Sequence, residues 1–223
     1  MKLSTQEIRD FMAYLSALLV SRKPKSIKHG APSVFHPRFG IDFAFGTPSI
    51  RGLRGAGVSF VCRYLSPAGN SKNLRRSEVV AYRRAGIGIV TVWETTAARA
   101  LDGAASGIHD AQQAKQMLRE LGAPPNAVVF FAVDFDDKTQ PVGDYFRGAA
   151  HVLGKHRVGV YGGYDVVKRL LNADLVSHAW QTYAWSGGAW DHRAMLRQFS
   201  NDHTIAGVSC DFDRAVGPHF GAW

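Results

Sequence analysis

Cysteine is scarce in this chain. Cys62 and Cys210 are the only two in 223 residues, too few for a disulfide framework, and each reads as a free thiol buried in a strand. The nine histidines are scattered without an HExxH or any Cys/His zinc spacing, so neither a metal site nor a cofactor is expected. Acid is the minority charge. Lys and Arg number 27 against 18 Asp and Glu, a net +9 that favours an anionic partner such as nucleic acid, a membrane surface or a bacterial wall polymer. Apart from the run "SRKPKSIKH" the basic residues are dispersed and carry no nucleic-acid-binding signature, so nucleic acid is not the expected partner. No segment is long enough to span a bilayer. The opening residues place Glu7, Arg9 and Asp10 before a short apolar stretch and show no small-residue cleavage site, which argues against a secretory signal peptide.

What is present is enough apolar sequence, 46%, to bury a full core in one main domain. Ser4 and Glu7 form a capping-box pattern, and Ile8, Phe11, Met12, Leu15, Leu18 and Leu19 recur at helical spacing, which predicts an amphipathic helix over residues 4 to 20. Pro24, Gly30, Pro32 and several lysines then mark a basic linker up to His36. The expected division is therefore residues 1–36, helix and linker, and residues 37–223, the main domain.

From Phe39 onward strand-like and helix-like segments alternate. "FGIDFAF", "VSFVCRYL", "IGIVTVW", "AVVFFAVDF" and "RVGVY" read as strands, with helices over 74–85, 107–121, 143–154 and 165–172. "HAWQTYAW", "MLRQFS" and "TIAGVSCDF" follow as nearly bare strands, joined too closely for crossover helices, so antiparallel pairings are expected among them. Eight strands of this kind suit an incomplete (β/α) barrel better than an open doubly wound sheet.

In "AVVFFAVDFDD" a run apolar on both faces ends in carboxylates. Alternation places Phe130, Ala132, Asp134 and Asp136 on one face and Val129, Phe131, Val133 and Phe135 on the other. Such a strand belongs to a parallel sheet covered by helices, whose ligand crevice lies beyond the carboxyl ends of the strands. The competing reading of an isolated DxD is a strand end with Asp136 or Asp137 capping a helix. Asp42, Glu94, Asp211 and Asp213 also fall at strand ends, Glu94 in line with Gly88, Val90 and Val92, and Asp211 and Asp213 in line with Ser209. Carboxylates gathered at a barrel mouth suit glycosidic bond hydrolysis, in which one protonates the leaving oxygen and another stabilises or attacks the sugar cation. Tyr64, Trp93, Tyr161, Trp180, Tyr183 and Trp185 lie in or beside strands and offer stacking faces, although core packing is the commoner use of any one of them.

"GIDFAF", "FFAVDFD", "VGVYGGY", "AWQTYAW", "LRQFS" and "SCDFDRA", in that order over residues 38 to 217, resemble the glycoside-hydrolase-like domain family of actinobacterial exported and phage proteins. That family is similar to the glycoside hydrolase family 25 lysozymes. The resemblance implies an α/β, TIM-like (β/α)5β3 barrel, here with an extra N-terminal helix, acting at the cell wall on peptidoglycan or another anionic wall glycan. It matches Asp42 to the acid of the first strand, Asp134 to the first acid of the lysozymes' DxE motif and Asp211 to the acid near the last strand. Asp136 stands where those enzymes have their catalytic Glu and is one methylene shorter, which leaves Asp136 and Glu94 as alternative proton donors. The catalytic candidates are Asp42, Glu94, Asp134 and Asp136. The substrate-binding candidates are Arg63, Tyr64, Tyr161, Trp180, Gln181, Gln198, Asp211 and Asp213. The resemblance implies a wall hydrolase such as a phage endolysin, and the Asp in place of Glu leaves open a wall-binding domain that has lost catalysis.

Overall fold

The computed structural model describes residues 35–139 and 141–223. The helix expected over residues 4 to 20, and the linker as far as Val34, lie outside them. Eight strands close into a barrel in chain order: β1 (Arg38–Asp42), β2 (Phe60–Leu65), β3 (Gly88–Trp93), β4 (Val129–Ala132), β5 (Val158–Gly162), β6 (His178–Thr182), β7 (Leu196–Ile205) and β8 (Val208–Ala215). Helices α1 (Ile50–Gly55), α2 (Arg76–Ala85), α3 (Gly103–Leu121), α4 (Gly143–Leu153) and α5 (Tyr164–Asn172) follow the first five strands in turn. This is the (β/α)5β3 order. Among the described residues no helix is long and apolar enough to cross a membrane.

Helix α1 was not expected from the sequence. It is only six residues long, and its one local signal is Ser49, whose side chain accepts a hydrogen bond from the Gly52 amide. The expectation for the last strands needs one correction. β6 and β7 pair in parallel, because residues 183–195 are long enough to carry the chain back without a helix. β7 and β8, and then β8 and β1, are the antiparallel pairs. "TIAGVSCDF" is two strands: Ala206 (φ 52°) and Gly207 (φ 82°) form a two-residue turn between Ile205 and Val208.

Strand alternation sorts the core into two layers. Ile41, Val61, Ile89, Trp93, Phe131 and Val160 face outward against the helices. Phe60, Cys62, Val90, Val92, Phe130, Trp180 and Leu196 fill the inside. The amino-terminal end of the barrel is closed by the last residues of the chain, with Phe220 against the Phe60 ring at 4.9 Å and Trp223 exchanging backbone hydrogen bonds with Ile89. The apolar filling stops partway up. Above it each strand turns a polar side chain inward.

Candidate active site

The same alternation that buries Phe60, Val92 and Phe130 carries Tyr64, Glu94 and Asp134 into the mouth further along each strand. From β5 and β7 come Tyr161 and Gln198, and β8, running the other way, brings Asp211 opposite Asp42. Gln198 is the hub. Its Nε2 donates to Asp42 Oδ2 at 2.9 Å and to Asp211 Oδ2 at 3.3 Å, while its Oε1 accepts from the Tyr161 hydroxyl at 2.9 Å.

One step deeper, Asp213 is fully buried and accepts from Trp180 Nε1 at 2.8 Å. Asp42, 3% exposed, is its charged neighbour, and among the described residues Asp213 Oδ2 has no hydrogen-bond partner. Two carboxyl groups buried side by side disfavour being ionised together. Burial and then the neighbouring Asp42 push the Asp213 pKa well above the ordinary carboxylate value. Burial, with Asp211 adding to it, raises Asp42 to about 7.

Glu94 Oε1 is ion-paired with Lys72 Nζ at 2.9 Å, and the same ammonium lies 4.8 Å over the Tyr64 ring. Asp134 is half-buried, and its pKa is raised by burial first and by Glu94 second, with Lys72 opposing. Burial also raises the Tyr64 and Tyr161 hydroxyls well above the phenol value, so both stay neutral donors. A cavity of about 310 Å³ lies over Glu94 and Asp134, walled by Tyr64, Tyr161 and Trp185. The loop holding Glu94 is braced from outside. Arg99 grips both oxygens of Asp110 on α3 at 2.8 and 2.9 Å, Tyr145 of α4 donates to the same carboxylate at 2.8 Å, and the Asp134 amide donates to Ala97 of that loop at 3.3 Å.

Asp42, Tyr64, Glu94, Asp134, Tyr161, Gln198 and Asp211 therefore converge, with Trp180 and Asp213 directly beneath. Four residues read as facing the site do not. Asp136 is the first correction: β4 ends at Ala132, so alternation no longer governs residue 136. Asp137 turns inward to a 2.6 Å ion pair with Arg169 of α5, and Asp136 is carried out, 51% exposed and 4.0 Å from Lys138. Arg63 and Gln181 are the second and third. Each is the strand neighbour of an inward residue and so points to the outer layer. Arg63 is ion-paired with Glu78 at 3.1 Å and donates to the Phe43 carbonyl at 2.6 Å. Gln181 accepts from the Asp191 amide at 2.9 Å and donates to the Ala189 carbonyl at 2.8 Å, which fastens the loop between β6 and β7. Trp93, an aromatic stacking candidate, is 1% exposed in the outer layer. Lys72, Thr182 and Asn201 also border the cavity or its acids without having been read as candidates: Lys72 lies in a loop, Asn201 follows a register shift in β7, and Thr182 shares the inward face of Trp180.

A model of the family described as "Rv2525c-like, glycoside hydrolase-like domain" matches residues 51–216. Among solved structures, the Tat-secreted protein Rv2525c of Mycobacterium tuberculosis, in complex with L-tartrate, is 27% identical, with 83% of this chain and 98% of that one covered and a TM-score of 0.77. The modular autolysin LytC of Streptococcus pneumoniae, in complex with a synthetic peptidoglycan ligand, is 13% identical over 80% of this chain and 46% of that one, with a TM-score of 0.59. The Clostridium perfringens spore cortex lytic enzyme SleM is 15% identical over 80% of this chain and 67% of that one, with a TM-score of 0.57. At such identities the last two show a shared fold alone. No curated protein matches the sequence.

Proposed function

The chain belongs to the family of Rv2525c-like, glycoside hydrolase-like domains, and from that premise we propose that it hydrolyses a glycosidic bond in a peptidoglycan-type wall glycan. The observation that carries this reading is Asp134, a half-buried acid whose pKa is raised beside Glu94 in a cavity at the carboxyl ends of the strands. A carboxyl group whose proton affinity is raised by burial and a neighbouring acid is suited to hand its proton to a departing sugar oxygen. Asp134 gives its proton to the glycosidic oxygen as the bond to the anomeric carbon breaks. The carboxylate of Glu94, ion-paired with Lys72, stabilises the positive charge that develops on the sugar. Water adds to the anomeric carbon and returns a proton to Asp134. Asp42, Gln198 and Tyr161 are positioning residues, since their hydrogen bonds to one another fix the floor on which the sugar rests.

The test is release of reducing ends from purified peptidoglycan. Asp134→Asn is expected to lower it by about 100-fold or more, the usual size of a general-acid contribution, with the melting temperature kept. Activity within a few-fold of wild type removes Asp134 from the mechanism. A second reading, a wall-binding domain without catalysis, is favoured by one feature: Asp136, at the position of the lysozymes' Glu, turns away from the cavity. It predicts wild-type protein that sediments with purified wall and releases no reducing ends.

A further inference from the structure

At the opposite end of the barrel from the acids, where the last residues of the chain close the floor, lies a cavity of about 280 Å³. It is lined by His156 from the short turn before β5, His178 at the start of β6, His219 and Trp223 from the closing segment, and Asn126 ahead of β4. Three of the nine histidines thus meet from three separate stretches of sequence. Among the described residues no Asp or Glu belongs to the lining. The charges beside it on the same elements are already engaged: Lys155 is ion-paired with Asp174 at 2.5 Å, Arg157 donates to the Ala127 carbonyl at 3.0 Å, Arg38 lies 5.9 Å over the Phe220 ring, and the Trp223 backbone oxygen accepts from the Ile89 amide at 2.9 Å. Two buried polar atoms of the lining residues, His178 Nδ1 and Trp223 Nε1, have no hydrogen-bond partner among the described residues. Burial first, then His219 and His156, hold the His178 pKa below the ordinary imidazole value. Each proton gained by one imidazole therefore opposes the next, unless negative charge enters the cavity.

We propose that this floor cavity is an oxyanion site, separate from the mouth, which takes a tetrahedral anion of the phosphate or sulfate class, free or borne on a small molecule, as its histidines protonate. A protonated imidazole donates from both ring nitrogens and an indole from one, and a tetrahedral anion offers acceptors in all of these directions at once. A planar carboxylate serves fewer of them. A metal ion is not the occupant, because among the described residues no three such side chains are placed to hold one. Bound there, the anion ties the closing segment, through His219, to the starts of β5 and β6.

Sulfate keeps both of its charges across the range in which histidine titrates, so any change in its affinity there reports the protein. Calorimetric titration of the full chain with sodium sulfate at fixed ionic strength is expected to show binding about tenfold or more tighter at about pH 5.5 than at about pH 8, the scale of one linked histidine proton. His156→Gln and His219→Gln, both at exposed positions that spare the fold, should each weaken the binding at the lower pH by about threefold or more, the scale of one lost hydrogen bond. His192→Gln, at an exposed histidine outside the cavity, should leave it unchanged. In imidazole carbon–proton correlation spectra of the unaltered chain, sulfate should shift His156, His178 and His219 and leave His109 and His192 in place. Affinity that is the same at both pH values, or indifferent to His156→Gln and His219→Gln, overturns the site, and so does a response to zinc chloride with none to sulfate. Glucose 6-phosphate binding more tightly than inorganic phosphate assigns the site to a sugar-borne anion, and equal binding assigns it to the free ion; both uphold it. The readout is binding at the end of the barrel away from Asp134, so the hydrolase reading stands or falls separately.

Discussion

Asp42 and Asp213 are buried together inside the barrel, so folding raises the proton affinity of both. An acid whose folded pKa is raised stabilises the fold below its unfolded value and loses that contribution as pH climbs to its folded value. For Asp42 the window runs from 3.8 to about 7. Asp42→Asn, neutral throughout, is therefore expected to gain stability relative to wild type as pH rises through that window, by an amount on the order of 2 to 4 kcal/mol, read as a widening gap in melting temperature. A difference between the two proteins that stays constant with pH would show that Asp42 titrates alike folded and unfolded. At this scale the sequence was legible along each strand and for the first one or two residues past its end. Asp134, Glu94 and Asp211 follow from parity with the apolar residues before them. Asp136 does not, since the strand ends at Ala132 and the ion pair of Asp137 with Arg169 decides the turn. Arg63 and Gln181 sit beside Tyr64 and Trp180 in conspicuous motifs, yet adjacent residues of a strand cannot both face inward. Lys72 reaches Glu94 from a loop, where no periodicity operates.

Among the elements, the α3–α4 pair matters most to the site, because it braces the ends of β3 and β4 that deliver Glu94 and Asp134. The two helices meet at glycines. A Cβ on Gly107 would overlap the Tyr145 carbonyl, and one on Gly148 would overlap that of Ala104. An exposed helical Gly→Ala change ordinarily gains about 1 kcal/mol. At this crossing Gly107→Ala is expected to lose about 1 to 3 kcal/mol instead, because the helices must part. A denaturant midpoint above that of wild type would contradict so close a packing. Helical periodicity in the sequence located both helices but not their contact, since a glycine in a helix reads only as a weak residue until its neighbour is known. The β7–β8 hairpin was hidden for a related reason. Its turn begins with Ala206 at positive φ, a conformation that alanine rarely marks.

For the whole molecule, closure depends on β8 pairing with β1, residues 211–215 against 38–42. Strand count and alternation point to a barrel, but this long-range pairing is invisible to any local pattern. Because the closed barrel and its floor are built from residue 35 onward, with Phe35 packed into the inner layer, a chain of residues 35–223 is expected to unfold in one cooperative transition within about 5 °C of the full-length melting temperature. A broad or absent transition in that chain would make the first 34 residues part of the core.

Cys62 lies on the inner face of β2 with no exposed surface, and burial raises its thiol well above the ordinary value. Cys210, 3% exposed at the edge of a cavity between the loop after β1 and the β7–β8 hairpin, is the more approachable sulfur. An alkylating reagent should therefore modify Cys210 first and reach Cys62 only when the strands separate. The chain thus carries its own clock for the opening of the barrel.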